Sequence, residues 1–195
     1  MLPDVMIDIE TLGTASDAAV LSIGMVEFDA CTGETGTEVY LVLDVDSQLS
    51  AGASVTMGTI QWWITEAAAV FPHLTHDGHV TSPDVAAASV NMFCKRRSRI
   101  WAQGPHFDMA IMNGLARRHG MVTDCIEDHW KVRDVRTVTE LTGVRPNRVK
   151  GQHHNAIQDC RAQVAVVVRA FSKLGMAHTG KMGAMVAGAV KQGVV

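Results

Sequence analysis

Residues 5–10, which read Val-Met-Ile-Asp-Ile-Glu, decide the fold prediction for this chain. The side chains alternate between two faces, with Val5, Ile7 and Ile9 on one face and Met6, Asp8 and Glu10 on the other. Such alternation, rich in β-branched residues, predicts a β-strand. Asp8 and Glu10 leave the same face about 7 Å apart along the strand. Two carboxylates buried without partners are costly, so this is either an edge strand with a solvated outer face or the support of a ligand site.

The segments that follow predict a single α/β domain. Two further β-prone runs, joined by a turn cluster at residues 31–36, precede a series in which helices alternate with short strands. The additional predicted strands are 18–28, 37–42, 100–102 and 130–132. The predicted helices are 59–69, 83–97, 108–119, 134–141 and 155–174. This order favours a mixed sheet covered by helices. We assign residues 1–175 to the domain and residues 176–195 to a mobile C-terminal tail.

Composition excludes several classes of protein. The 195 residues are 47% hydrophobic and 19% charged, which is typical of a soluble globular domain, and the net charge of −3 excludes a histone-like polycation. No run approaches the roughly 20 apolar residues of a membrane helix. The N-terminus has no basic segment followed by an apolar one, so we expect no signal peptide. The four cysteines form no C-x-x-C pair, which favours a reducing, cytoplasmic location.

Two later segments carry further candidate acids. Asp108 follows Phe107 at a predicted helix start, where an acid can serve simply as a favourable partner of the helix dipole. His154 and Asp159 are five positions apart, which on one helix would place them about 140° from each other. They can converge only if His154 lies in the loop before the helix and bends over the first turn.

Taken together, these segments resemble the exonuclease motifs of the DEDD superfamily, in its histidine-containing DEDDh branch. The residues that carry the resemblance are Asp8-Ile9-Glu10-Thr11, Phe107-Asp108 and His154-x-Ala156-x-x-Asp159. Two more segments are similar to phage-type 3′-5′ exonucleases and their bacterial exoribonuclease-like relatives, namely Thr59-Ile60-Gln61-Trp62-Trp63 and Arg133-Asp134-x-Arg136-Thr137. The resemblance spans residues 4–172 and implies a ribonuclease-H-like fold with a mixed five-stranded sheet flanked by helices.

The resemblance also implies a reaction. Members of this branch hydrolyse phosphodiester bonds from the 3′ end of single-stranded DNA or RNA and release nucleoside 5′-monophosphates. The implied ligands of two Mg²⁺ or Mn²⁺ ions are Asp8, Glu10, Asp108 and Asp159, and His154 is the implied general base. Hard oxygen ligands suit these ions, and an imidazole pKa near 6.5 suits a general base. The implied partner is a single strand with a free 3′ end. A homodimer is a further expectation, and no membrane partner is expected.

The predicted substrate contacts are Thr11, Leu12, Trp63, Phe107 and Arg148. Alternatives stay open for some of them. Leu12 could equally be a turn residue of the core, and the neighbouring indoles of Trp62 and Trp63 cannot both face the site, because adjacent helical residues point about 100° apart. Arg148 lies in a basic loop with Arg145 and Lys150, ahead of His154. The run Lys95-Arg96-Arg97-x-Arg99 could steer a nucleic acid or could be a solvated helix end. Arg133, Asp134 and Arg136 are interpreted as a structural ion pair at a strand-to-helix junction.

Two rival functions follow from the same residues. A catalytically silent nucleic-acid-binding module could keep the fold, although the loss of one of the five site residues would be its simplest signature. An iron site with two histidines and one carboxylate, built with His153 or His154, is the second rival. The choice between DNA and RNA depends on contacts to the 2′-hydroxyl, which no motif here reports.

Overall fold

The computed structural model describes residues 1–75, 80–121, 128–145 and 154–177. Five strands form one sheet in the order β3-β2-β1-β4-β5. Their bounds are β1 (Asp4–Thr11), β2 (Val20–Phe28), β3 (Thr35–Val42), β4 (Arg99–Ala102) and β5 (Val132–Asp134). β2 runs antiparallel to both β1 and β3, whereas β4 runs parallel to β1 and to β5. The predicted mixed five-stranded sheet is confirmed. The edge-strand interpretation of residues 5–10 is wrong, because β1 is paired on both sides.

The helices of the described residues lie close to the predicted positions. They are α1 (Val45–Ser50), α2 (Met57–Glu66), α3 (Phe71–Thr75), α4 (Pro83–Cys94), α5 (Pro105–Arg118), α6 (Val135–Thr142) and α7 (Ala156–Lys173). The prediction missed α1 and α3, which have only six and five residues and therefore too few turns for a periodic signal. One local signal for α1 was present, since the side chain of Asp44 caps it by accepting hydrogen bonds from the amides of Asp46 and Ser47.

The two faces of β1 pack against different helices. Its wholly apolar face, with Ile7 at its centre, joins a buried cluster with Val90 of α4 and Leu115 of α5. On the opposite face, Met6 packs with residues of α7 such as Val164. Because side chains alternate along a strand, Asp8 and Glu10 also lie on the α7 side. The last helix of the domain therefore covers the face of the sheet that carries the two carboxylates.

A third carboxylate on that same face of β1 is purely structural. Asp4 is fully buried, and its carboxylate accepts hydrogen bonds from the amide of Ala30, the indole of Trp101 and the guanidinium of Arg99. A second internal pair joins Arg97 to Glu27. Two cations of the run at residues 95–99 therefore hold the fold together, which removes them from the predicted steering surface.

Three remaining predictions concern residues that the structure describes only in part. The predicted tail lies outside the described residues from residue 178 onward. Among the described cysteines, Cys31, Cys94 and Cys160 carry free thiols. Within the ranges that the structure describes, no helix combines the length and the apolar character needed to span a bilayer.

Candidate active site

Three carboxylates from the two ends of the domain meet above the sheet. Asp8 and Glu10 come from β1, and Asp159 comes from the first turn of α7. One carboxylate oxygen from each lies within 4.8 Å of the others, and all three side chains are partly buried. Such a cluster of hard oxygen atoms, with one open side, suits a divalent cation of the Mg²⁺ or Mn²⁺ type.

A glycine in β2 allows α7 to approach the sheet this closely. Gly24 is the cross-strand partner of Asp8. A Cβ added to Gly24 would lie 2.5 Å from the carbonyl oxygen of Ala156 and 2.6 Å from the amide nitrogen of Ile157. The start of α7 therefore rests directly on the backbone of β2, which places Asp159 one turn further along, beside Asp8. Gly24 was not predicted to support the site, although a glycine inside a strand can signal close backbone approach.

The residues before α7 adopt the loop that the spacing predicted. Asn155 is the N-cap, and its side chain accepts a hydrogen bond from the amide of Gln158. His154 has a φ of 68°, in the left-handed region, and its amide donates a 3.0 Å hydrogen bond to Oδ2 of Asp159. The histidine thus bends back over the first turn of the helix, as its convergence with Asp159 requires. The rival candidate, His153, lies outside the described residues.

The fourth acid, Asp108, stands at the side of this cluster. It is buried in the first turn of α5, which begins with Pro105 after a left-handed Gly104. Asp108 is absent from the group of oxygen atoms within 4.8 Å, but its charge is close enough to raise the pKa of both Asp8 and Glu10. Its predicted role as a metal ligand therefore stays a prediction.

The electrostatics of the cluster favour bound positive charge. Burial raises the pKa of Glu10 to about 8, and repulsion from Asp159 and Asp108 acts in the same direction. Burial likewise raises the pKa of Asp108 to about 7. The pKa of Asp8 is well above its usual range because of burial and of repulsion from Asp108, Glu10 and Asp159. Crowded acids with raised pKa values are stabilised in their charged form by a divalent cation.

A glutamine of α7, which the motifs did not predict, orients Asp8. Gln163 is 6% exposed, and its Nε2 donates a 2.8 Å hydrogen bond to Oδ1 of Asp8. This bond lowers the pKa of Asp8, against the stronger effect of burial. Among the residues that the structure describes, three donate hydrogen bonds to the carboxylate of Asp4, whereas one donates to that of Asp8. The contrast marks Asp4 as structural and Asp8 as a carboxylate with acceptor capacity to spare.

An open cleft of about 320 Å³ adjoins the carboxylates. Its lining includes Glu10, Thr11, Trp62, Trp63, Phe107 and His154, with Gly58 and Thr59 at the start of α2. Two aromatic side chains in the lining, Trp62 and Phe107, are each 37% exposed. Trp62 also meets the imidazole of His154 edge to face, with ring centroids 4.6 Å apart.

Two of the predicted substrate contacts are corrected by their burial. Trp63 is only 1% exposed, and its indole N–H donates a 2.8 Å hydrogen bond to the carbonyl of Thr11. It cannot present a ring face to a base, so Trp62 takes its place as the stacking candidate. Leu12 is 8% exposed and packs with Trp63 and Leu74 in a core cluster, which supports the alternative of a core turn residue.

The other predicted contacts have mixed outcomes. Phe107 lines the cleft, as expected of a substrate contact. Thr11 also lines the cleft, but its hydroxyl donates to the carbonyl of Gly13, so it holds the turn after β1. Arg148 lies outside the described residues. Asp134 is the N-cap of α6 and accepts from the amide of Arg136, a capping role in place of the predicted ion pair.

Filling the space at Gly24 should damage the site through the backbone. We expect Gly24→Ala to lower the stability by roughly 1–3 kcal/mol, because the contacted atoms belong to the main chain and cannot rotate away. The start of α7 must shift, and a displacement of about 1 Å at a catalytic group can cost roughly 10²-fold in rate. Thermal unfolding and the rate of nucleic acid cleavage measure the two effects. Gly58→Ala is the stability control, since its Cβ would meet open space, and it should leave the Tm unchanged or higher. An equal Tm for both variants would contradict the close approach.

The crowded acids should make the metal-free protein less stable in alkaline solution. A carboxyl whose pKa is raised on folding binds its proton more tightly in the folded state. It therefore favours folding below its unfolded pKa near 4, and this contribution is lost as the pH rises through about 7 for Asp108 and about 8 for Glu10. In EDTA we expect the Tm at pH 9 to lie roughly 5 °C below the Tm at pH 6. Mg²⁺ or Mn²⁺ should raise the Tm more at pH 9. A Tm that stays constant over this range would contradict the electrostatic description.

Comparisons with known proteins agree with this geometry. The model of a family described as the 3′-5′ exoribonuclease Rv2179c-like domain matches residues 3–171, which confirms the resemblance inferred from the motifs. No curated protein matches the chain by sequence.

Several solved structures share the fold. Escherichia coli exonuclease I, in a zinc-bound complex with single-stranded DNA, matches with a TM-score of 0.67 and 12% identity over 88% of this chain and 41% of that chain. The same enzyme in complex with a dT13 oligonucleotide matches with a TM-score of 0.60 and 13% identity, over 89% of this chain and 41% of that chain. An apo structure of exonuclease I matches with a TM-score of 0.62 and 15% identity, over 94% of this chain and 46% of that chain. At these identities the likeness establishes the ribonuclease-H-like fold, and this chain spans less than half the length of those proteins.

Proposed function

This chain belongs to the Rv2179c-like 3′-5′ exoribonuclease domain family, and on that premise we propose that it removes nucleoside 5′-monophosphates from the 3′ end of single-stranded nucleic acid. The observation that carries the proposal is the meeting of Asp8, Glu10 and Asp159 at the mouth of an aromatic cleft. The family is described as an exoribonuclease domain, so RNA is the polymer we expect. The family model covers nearly all of the domain that we assign to residues 1–175.

The acidic cluster fits the two divalent ions that this reaction needs. Asp8, Glu10 and Asp159 would hold one or both ions, with Asp108 beside them. Bound Mg²⁺ or Mn²⁺ would supply Lewis acidity at the phosphorus centre and a hydrolytic water of lowered pKa. Within the described part of the chain, the cluster contains carboxylates and no imidazole, which favours these hard ions over the rival iron site.

Histidine 154 is the group that we expect to move the proton. Its ring lines the cleft, and its backbone is held to Asp159 by the amide hydrogen bond. The imidazole accepts a proton from the water that attacks the phosphorus atom, while the bond from phosphorus to the leaving 3′-oxygen breaks. Trp62 packs edge to face against that imidazole and so restricts its orientation.

The cleft suits the last nucleotide of a single strand. The exposed rings of Trp62 and Phe107 offer sequence-independent stacking, which is worth roughly 1–3 kcal/mol per base in single-strand binders. A cleft of about 320 Å³ is comparable in size to one nucleotide, which favours an unpaired 3′ end. We therefore propose a single strand with a free 3′ end as the partner. A homodimer and a cytoplasmic location stay predictions.

Two labelled oligonucleotides test the proposal. RNA and DNA of one sequence, each labelled at the 5′ end, are incubated with the protein and Mg²⁺ or Mn²⁺, and parallel samples contain EDTA. The expected result is a ladder that shortens from the 3′ end of the RNA, with no cleavage in EDTA. A blunt duplex of the same sequence should be degraded far more slowly. A ladder on DNA alone would correct the choice of sugar, whereas binding without cleavage of either polymer would establish the silent binding module instead.

A further inference from the structure

One arginine stands at the same edge of the sheet as the carboxylates and has no part in the reaction described so far. β4 and β5 run parallel to β1, so the three strands end at a common edge, which is where α/β sheets bind ligands. β4 ends at Ala102, two residues before Gly104, and β5 ends at Asp134. Arg136 is the second residue of α6, directly after that end.

The side chain of Arg136 rests on a glycine. Gly104 has a φ of 95°, and a Cβ added to it would lie 2.7 Å from Nη1 of Arg136. The guanidinium therefore occupies the space that any other residue at position 104 would fill. Asp134 fixes both partners, since its Oδ1 accepts hydrogen bonds from the amides of Gly104 and Arg136 at 3.1 and 3.0 Å. The hydrogen bonds of Asp134 thus join the loop before α5 to the start of α6, and the side chain of Arg136 packs against that loop.

The guanidinium lies near the acidic site, and it forms no ion pair with any residue that the structure describes. Its positive charge lowers the pKa of Asp108, against the larger effect of burial. Other arginines, such as Arg97, Arg99 and Arg161, are bound to a carboxylate. In the described part of the chain no residue accepts a hydrogen bond from the guanidinium of Arg136, and the residue is exposed. This exposed cation acts on Asp108, whose neighbour Phe107 lines the cleft.

We propose that Arg136 binds a backbone phosphate of the nucleic acid strand on the Asp108 side of the cleft. The planar guanidinium fork matches two oxygens of one phosphate, and this match makes arginine the common choice for phosphate recognition. Two features of the fold support the site. The guanidinium packs against Gly104, and the carboxylate of Asp134 accepts hydrogen bonds from the amides of both Gly104 and Arg136. The inference rests on the proposed function, because it supplies a contact for the strand whose 3′ end enters the cleft.

Binding at graded salt concentrations tests this contact. The background variant is Asp8→Asn, which prevents cleavage, and the probe is a 5′-fluorescent single-stranded RNA oligonucleotide followed by anisotropy. We expect Arg136→Met to weaken binding by roughly 10- to 100-fold, the range for a lost charged hydrogen bond. The slope of the logarithm of affinity against that of salt should flatten by about 0.7, as for one lost phosphate contact on a single strand. Arg136→Lys should keep the slope while binding less tightly, since it retains the charge without the fork.

Arg133→Met is the matched control. Arg133 lies three residues away and is exposed, but its guanidinium donates to the carbonyls of Trp130 and Val132. The variant Arg133→Met should therefore leave the RNA affinity and the salt slope within about twofold of those of the parent protein.

Two results would overturn the inference while leaving the proposed function intact. One is unchanged affinity and slope for Arg136→Met in a protein whose wild-type form cleaves RNA. The other is that Arg136→Met binds RNA as tightly as the parent but has a changed affinity for Mn²⁺ in thermal titrations without RNA. That combination would show that Arg136 acts only through Asp108. Should Arg136→Met fail to fold, equal affinity of Arg136→Lys and the parent would refute the fork contact. A wild-type protein that neither binds nor cleaves would instead refute the proposed function.

Discussion

Asp8→Asn should abolish cleavage while the metal-free protein becomes more stable. The neutral amide cannot replace a carboxylate as a divalent-ion ligand, so we expect the rate to fall by about 10³-fold or more. Burial and repulsion from neighbouring acids hold the pKa of Asp8 well above its usual range, so folding without metal must either bury its charge or bind a proton, and the amide avoids that cost. The Tm in EDTA should therefore rise above that of the wild type at pH 8, and the increase in Tm on adding Mn²⁺ should shrink or vanish.

Asp4→Asn offers a control on the same face of the same strand. Asp4 is buried and bound by Arg99, Trp101 and Ala30, so its neutral replacement leaves the half-buried guanidinium of Arg99 without its counter-charge. We expect a loss of about 3 kcal/mol in stability with the cleavage rate of the folded protein largely kept. The two variants should thus move the Tm in opposite directions. A destabilised metal-free Asp8→Asn protein that still cleaves RNA would show that Asp8 is a structural acceptor like Asp4.

His154→Ala should lower the turnover rate by roughly 10²- to 10⁴-fold, the usual contribution of general-base catalysis. The affinity for Mn²⁺, measured by thermal titration, should change little because the carboxylates remain. The wild-type rate should rise with pH as the imidazole loses its proton, and this limb of the profile should be missing from the variant. His153→Ala should cost far less. If His153→Ala proved the more damaging change, the assignment of the general base would be wrong by one residue.

The left-handed backbone of His154 allows a cleaner version of that experiment. Alanine is strained at a φ of 68°, whereas glycine and asparagine adopt this conformation readily. We expect His154→Gly to keep or raise the Tm and His154→Asn to keep it, with activity lost in both. Retained activity in His154→Asn would argue that the residue is needed for its backbone shape and its amide bond to Asp159 rather than for its imidazole.

The parts of the site that could be predicted are those that depend on residues close together in the sequence. The alternation in residues 5–10 predicts which side chains share a face, and the distance from His154 to Asp159 predicts a loop before the helix. The identity of the exposed indole could not be predicted. It depends on the hydrogen bond from Trp63 to the carbonyl of Thr11, which sets the rotation of α2.

The missed residues depend on partners far along the chain. The role of Gly24 depends on its contact with the main chain of Ala156, which is formed only in the tertiary structure. Gln163 is an ordinary polar residue of a helix until it reaches Asp8, 155 positions away. The position of β1 inside the sheet was also open, because two acids on one face are compatible with either a solvated edge or a central strand beneath a site. Only the pairing with β4 decides between these arrangements.

The distance along the chain between β1 and α7 has a consequence for biosynthesis. After β1 is synthesised, its neighbour β4 and the helix that carries Asp159 follow about 90 and 150 residues later, at roughly 5–20 residues per second. Throughout that interval the nascent chain displays Asp8 and Glu10 without the oxygen atoms that complete the cluster. Contacts between such distant segments also form slowly, because a long loop must close first. We therefore expect the nascent chain to gain divalent-ion binding only after α7 has been synthesised, well after β1 and β2.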